Sequence, residues 1–141
     1  MDNQPLEFEH TYNAPIKRVW DAITQKEEMK KWYFDIAEFK PEVGFEFEFT
    51  AGDEKKKFRH LCKVTEVIPG KKLTYSWRYD GVPGNSFVTF ELFEEADKTR
   101  LKLTHAGLET FPSDTTDFAK ENFIKGWTHI IHTGLKKYLE G

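Results

Sequence analysis

Two histidines, His129 and His132, lie three residues apart in the segment GWTHIIHTGL, residues 126–135. Residues at this spacing occupy neighbouring positions on one face of a helix, so the pair could begin a metal site or an acid–base site. On a helical wheel, however, His129 points almost opposite to the apolar stripe of the segment, and His132 lies at its polar edge among lysines. A metal site needs further ligands, and the wheel offers lysines instead. We therefore interpret both histidines as surface residues and predict no metal site.

His105 is a stronger candidate for chemistry than either helical histidine. In the segment TRLKLTHAG it shares one face of a strand with Leu101 and Leu103, the face that should point inward. A buried imidazole must find a hydrogen-bond partner or lose its proton readily. His105 is thus either a satisfied core histidine or a polar group that orients a ligand, and His10 on the first predicted strand leaves the same alternatives.

Composition and charge exclude several classes of partner. A chain of 141 residues, 32% charged and 38% hydrophobic, fits a single domain spanning residues 1–141. The net charge is −3 and the lysines are dispersed, which excludes a nucleic-acid partner, and no apolar run approaches the ~18 residues of a membrane-spanning helix. The amino terminus has no signal-like segment, and the lone Cys62 excludes an internal disulfide, which favours a cytoplasmic location. We expect a monomer or weak dimer that uses no cofactor and does not bind membranes, with Cys62 buried and inert.

The hydrophobic periodicity predicts an α+β fold. Residues 6–12 alternate as a strand, residues 13–24 have the period of a short amphipathic helix, and a second short helix ends before Asp35. A two-residue period then dominates from Ile36 to Ala106, interrupted by turn residues, as in a meander of about six antiparallel strands. The segment from Asp117 to Leu139 contains no proline and predicts one long helix. Its apolar stripe must be buried against the sheet.

Gly134 stands out because it lies on the buried stripe of the last helix. A glycine inside a helix costs about 1 kcal/mol relative to alanine, so something must require the space. The space could serve close packing of the helix on a strand or an aromatic ring. It could equally leave room for a ligand between helix and sheet.

Several segments resemble one known family. YNAPIKRVWDAIT, VTFELFEEADKTRLKLTHAGL and GWTHIIHTGLKKYL follow one another as in the activator of heat-shock protein 90 ATPase homologue family, within the START-like (SRPBCC) superfamily. The resemblance covers nearly the whole chain. It implies a helix-grip fold, in which a curved antiparallel sheet with two short helices wraps a long C-terminal helix and leaves a cavity between sheet and helix.

The resulting hypothesis is non-enzymatic binding of a small hydrophobic or aromatic molecule in that cavity. Aromatic residues make up 16% of the chain, which suits a lined pocket. The predicted lining residues are Trp32, Tyr75, Trp77, Leu103, His105, Trp127, Ile131 and Gly134. Tyr75 and His105 would orient one polar group of the ligand, and we assign no catalytic residue.

Two alternatives stay open. The first is a chaperone-linked protein-interaction module, which would make a chaperone the partner. The second is a cyclase- or hydrolase-type enzyme that uses the same cavity and would need an acid–base pair inside it. Glu46 and Glu48 alternate with Phe45, Phe47 and Phe49, so we expect both carboxylates to point away from the interior.

Overall fold

The computed structural model describes residues 5–33, 36, 38–52, 57–112 and 120–140. In chain order the elements are β1 (Leu6–Tyr12), α1 (Ile16–Thr24), α2 (Lys26–Trp32), β2 (Glu46–Gly52), β3 (Lys57–Ile68), β4 (Lys72–Tyr79), β5 (Ser86–Glu95), β6 (Lys98–Ala106), a 3₁₀ turn (Leu108–Thr110), α3 (Lys120–His129), a π-helical segment (Ile130–Gly134) and α4 (Leu135–Glu140). Two short helices and a set of strands thus precede the last helical stretch, as the periodicity predicts.

The six described strands form one antiparallel sheet in the order β1-β6-β5-β4-β3-β2. Strands β2 to β6 pair with their neighbours along the chain, and β1 completes the sheet beside β6, with Leu6 opposite His105. Five strands follow the short helices in the described chain, where the periodicity predicted about six. Alternate residues of β4 and β6 are buried, which places one face of the curved sheet against the helices. The prediction of an α+β helix-grip fold is confirmed.

The long C-terminal helix is confirmed over residues 120–140, and it contains a π-helical segment that the periodicity did not predict. Residues 117–119 lie outside the described part, and the π-helical segment separates α3 from α4. The fully buried Tyr12 of β1 donates its hydroxyl hydrogen to the Ile131 carbonyl oxygen at 2.6 Å, so the irregular turn is tied directly to the sheet. No helix among the described residues is long and apolar enough to cross a membrane.

His132 is more than a surface residue, which corrects one half of the interpretation of the histidine pair. Its Nδ1 atom lies 3.0 Å from Nδ1 of His10 on β1, so one ring donates and the other accepts a hydrogen bond. Burial, followed by the neighbouring His132, lowers the pKa of His10. His129, in contrast, is exposed as expected. The two histidines of the segment therefore have separate roles, and His132 links the π-helical segment to β1.

Close packing of two helices explains why position 134 is a glycine. A Cβ atom at this position would lie 3.3 Å from the backbone carbonyl oxygen of Trp32, the last residue of α2. That distance is tighter than an ordinary van der Waals contact. Of the alternatives left open by the sequence, the structure favours close packing, although the neighbour is the end of a helix and not a strand or an aromatic ring.

Alanine substitutions at two glycines measure this packing. A methyl group added at Gly126 of α3 would meet no described atom within 4 Å, so Gly126→Ala should raise the free energy of unfolding by about 1 kcal/mol through helix propensity. Gly134→Ala should gain less because its methyl group meets the Trp32 carbonyl, and Gly134→Leu should lower stability by about 2 kcal/mol through overpacking. Urea denaturation of the three variants checks this. Equal stabilisation by both alanines would show that the space beside Trp32 is not tight.

Candidate ligand site between the sheet and the last helix

Aromatic rings from the sheet and from α3 meet in the interior. The ring of Trp77 on β4 lies 5.6 Å from that of Trp127 on α3 and 5.4 Å from that of His105 on β6, measured between centroids. Phe90 of β5 contacts Trp127 edge to face at 6.3 Å. Offset and edge-to-face pairs of this kind are the favoured arrangements of aromatic side chains. Three of the predicted lining residues are therefore neighbours in the structure.

A chain of hydrogen bonds runs through this cluster. The indole N–H of Trp127 can only donate, and it does so to Nδ1 of His105 at 2.9 Å. Nε2 of His105 must then carry the proton of the neutral ring, and it donates to the Ser86 hydroxyl oxygen at 2.8 Å. Ser86 in turn donates to the carbonyl oxygen of Trp77 at 2.8 Å. The direction of every bond follows from the indole at one end and the carbonyl at the other.

His105 is consequently a satisfied core histidine. Its side chain is fully buried, both ring nitrogens have partners, and burial lowers its pKa to about 3. A neutral imidazole whose two nitrogens are engaged cannot accept a proton without breaking the bond to Trp127. Of the two alternatives for His105, the geometry favours the structural one.

Tyr75 has a partner that sequence reasoning missed. Its hydroxyl lies 2.6 Å from the hydroxyl of Tyr33, the residue that follows α2. Burial is the largest cause that raises the pKa of both phenols, so both stay protonated. Tyr33 falls at helical spacing with Met29 and Trp32 in the sequence, but that pattern identifies no partner on a distant strand.

His60 and Cys62 are two further inward residues that the site prediction omitted. His60 stacks on Phe49 with 4.4 Å between ring centroids and donates its Nδ1 hydrogen to the Phe58 carbonyl oxygen at 2.9 Å. Burial lowers the pKa of His60 to about 4. Burial also raises the pKa of the Cys62 thiol far above its usual value, which agrees with the expected inert thiol. Both positions alternate with Val64 on β3, so alternation alone could have revealed them.

The remaining predicted lining residues lie around this cluster. Trp32 donates its indole hydrogen to the Ala22 carbonyl oxygen at 2.8 Å and stacks on Tyr33 at 5.0 Å. Leu103 and Ile131 are fully buried in the core. Gly134 lies against the Trp32 carbonyl, as described above. The structure thus brings Tyr75, Trp77, His105 and Trp127 into one cluster with the rings around them, while contact of the eight residues with a ligand stays a prediction.

The carboxylates of β2 lie on the opposite face of the sheet. Glu46 and Glu48 are exposed, whereas Phe47 and Phe49 between and beside them are buried. Both glutamates line an open groove of about 440 Å³ on the outer face of β2, β3 and β4. Their predicted outward orientation is confirmed, and neither is placed to act together with His105.

The buried His105 makes stability dependent on pH. The pKa of His105 is 6.5 when unperturbed and about 3 in the folded protein, so the unfolded chain binds a proton first as the pH falls. The free energy of unfolding is therefore at its full value above pH 6.5 and decreases as the pH falls below it. Between pH 7.5 and pH 5 this histidine alone should remove about 2 kcal/mol of the free energy of unfolding. His105→Gln should flatten the pH dependence in urea denaturation by that amount, while His129→Gln at an exposed position should not. An unchanged slope in His105→Gln would contradict the assignment.

Comparisons with known proteins agree with this architecture. Residues 13–140 match the family described as activator of Hsp90 ATPase homolog 1-like protein. No curated protein matches the chain by sequence.

Solved structures show the same fold. The Mll3558 protein from Rhizobium loti has a TM-score of 0.83 at 21% identity, with 96% of each chain covered. The BH1534 protein from Bacillus halodurans has a TM-score of 0.75 at 27% identity, again with 96% of each chain covered. DynU16, a protein of the dynemicin biosynthetic locus, has a TM-score of 0.80 at 21% identity, and the match covers 99% of this chain but 48% of that one. The chain therefore belongs to the activator of Hsp90 ATPase homolog 1-like family and has the helix-grip fold of the START-like superfamily.

Proposed function

We propose that this protein binds a small hydrophobic or aromatic molecule between the sheet and the last helix, without catalysing a reaction on it. The observation that carries the proposal is the aromatic cluster of Tyr75, Trp77 and Trp127, which lies between the sheet and the last helix. Apolar rings with a few fixed polar groups are the usual lining of small-molecule sites. The membership of the family supports ligand binding in general terms and leaves the ligand open.

The polar groups of the interior support binding over catalysis. Apart from tyrosines, tryptophans and Cys62, the buried polar side chains of the described residues are Thr24, His60, Thr74, Ser86, Thr99 and His105, and none of these is a carboxylate. General acid–base catalysis needs a group that can exchange a proton near neutral pH. Burial lowers the pKa of His60 to about 4 and that of His105 to about 3, so both imidazoles are neutral at pH 7.

A chaperone-linked interaction module is the second candidate function. The family description refers to an activator of the Hsp90 ATPase. Phe87 is 42% exposed on the outer face of the sheet and pairs with Ser76, which lines the outer groove. An exposed phenylalanine beside a groove suits contact with another protein. This function would use the outer face and leave the interior unoccupied.

Titration with small molecules tests the proposal. Tryptophan fluorescence and heteronuclear NMR should show saturable changes at Trp77, His105 and Trp127 with at least one of naphthalene, 2-naphthol, indole and decanoate. Trp77→Leu should weaken that binding about tenfold, because about 1.4 kcal/mol of aromatic contact is lost. Phe87→Ser on the outer face is the control and should leave the affinity unchanged.

The opposite result would be equally informative. If none of the four compounds shifts the NMR signals of the interior residues, the proposal that a ligand binds at this site is wrong. Shifts confined to the outer face on addition of an Hsp90 chaperone, and abolished by Phe87→Ser, would then favour the interaction module.

A further inference from the structure

Tyr33 inserts an aromatic ring into the candidate site from its rim. Its ring is near-parallel to the indole of Trp32, at 5.0 Å and 26°, and to that of Trp127, at 6.1 Å and 23°. It also meets Phe49 at 6.1 Å. A single phenol ring therefore contacts side chains from α2, β2 and α3, the elements between which a ligand would lie.

The hydroxyl of Tyr33 reaches deeper than its ring. It is buried and lies 2.6 Å from the hydroxyl of the fully buried Tyr75, while the Tyr33 side chain as a whole is only partly buried. The residue thus extends from the surface to the interior and completes a hydrogen bond there. Tyr75, on β4, would otherwise bury a hydroxyl group without this partner.

The position of Tyr33 in the chain lets it move. It is the C-cap of α2, where its backbone N–H donates to the Met29 carbonyl oxygen at 2.7 Å, and its side chain is only partly buried, so the ring can turn outward while the backbone stays in place. Tyr75 and Trp127, in contrast, are buried residues within β4 and α3. Of these three aromatic residues, Tyr33 is the one that can leave the site while the walls stay in place.

We infer that Tyr33 is an internal occupant of the ligand site, and that the ligand is a planar aromatic molecule with a hydroxyl group that displaces Tyr33 and takes over its hydrogen bond to Tyr75. Such a molecule would meet the same surroundings as the phenol of Tyr33. These are the flat faces of Trp32 and Trp127, the tilted ring of Phe49 and the Tyr75 hydroxyl. An aromatic molecule without a hydroxyl group would displace the phenol but leave Tyr75 unpaired. This inference rests on the proposed function and specifies its ligand.

Two matched probes, 2-naphthol and naphthalene, test the inference because they differ by one hydroxyl group. In the unmodified protein, 2-naphthol should bind about tenfold more tightly than naphthalene, and the Tyr33 ring signals in NMR should move toward those of an exposed tyrosine. Tyr33→Ala removes the occupant, so both probes should bind at least tenfold more tightly than to the unmodified protein. Tyr75→Phe should abolish the preference for 2-naphthol.

A second variant serves if Tyr33→Ala does not fold, as judged by its thermal transition. Tyr33→Phe keeps the ring and loses the hydroxyl pair, so both probes should bind a few-fold more tightly while the preference for 2-naphthol persists. Equal affinities for the two probes, or no gain in affinity in either Tyr33 variant, would overturn the inference and leave ligand binding intact. Absence of binding by both probes and by the wider panel, in the unmodified protein and in the variants, would overturn both proposals.

Discussion

The requirement that buried polar atoms be paired governs how the layers of this protein fit together. Within the part of the chain that the structure describes, every buried side-chain nitrogen or oxygen has a hydrogen-bond partner. Several of these bonds join separate elements: Trp127 of α3 reaches His105 of β6, and Tyr12 of β1 reaches the Ile131 carbonyl. An unpaired group of this kind costs about 1 to 3 kcal/mol, so each bond restricts the position of the last helix over the sheet.

The same requirement shapes the chemistry of the interior. Trp127, His105, Ser86 and the Trp77 carbonyl satisfy one another in a fixed order, which leaves the imidazole neutral and engaged. The interior consequently presents ring faces and edges more than exchangeable protons. The proposed site would therefore select molecules by shape and aromatic character, with hydroxyl groups as the main polar contacts.

Much of the fold and part of the site follow from local sequence patterns. Alternation on β4 and β6 places Tyr75, Trp77 and His105 inward, and the helical period places Trp127 on the buried stripe, because these periods are fixed by backbone geometry. The same alternation, applied to β3, would have added His60. Such residues can be located without knowledge of what they contact.

Other features depend on contacts between distant parts of the chain and could not be predicted from local patterns. The pairing of His10 with His132 joins residues that are remote in sequence, and the Tyr33 hydroxyl meets Tyr75 only once α2 has docked. The close approach of Gly134 to the Trp32 carbonyl likewise requires two helices in place. In each case the sequence provides a suitable residue type, and the tertiary arrangement selects its partner.

The π-helical turn between α3 and α4 sets the phase between two halves of one helix. A π turn holds one residue more than an α-helical turn over the same span. If the same residues formed a regular α-helix throughout, α4 would be rotated by about 100° relative to α3. Tyr138 of α4 would then turn away from Arg18, whose guanidinium lies 4.9 Å from its ring, and from Glu28, which accepts its hydroxyl hydrogen at 2.8 Å. The extra residue therefore lets α3 align with the sheet while α4 aligns with the two short helices.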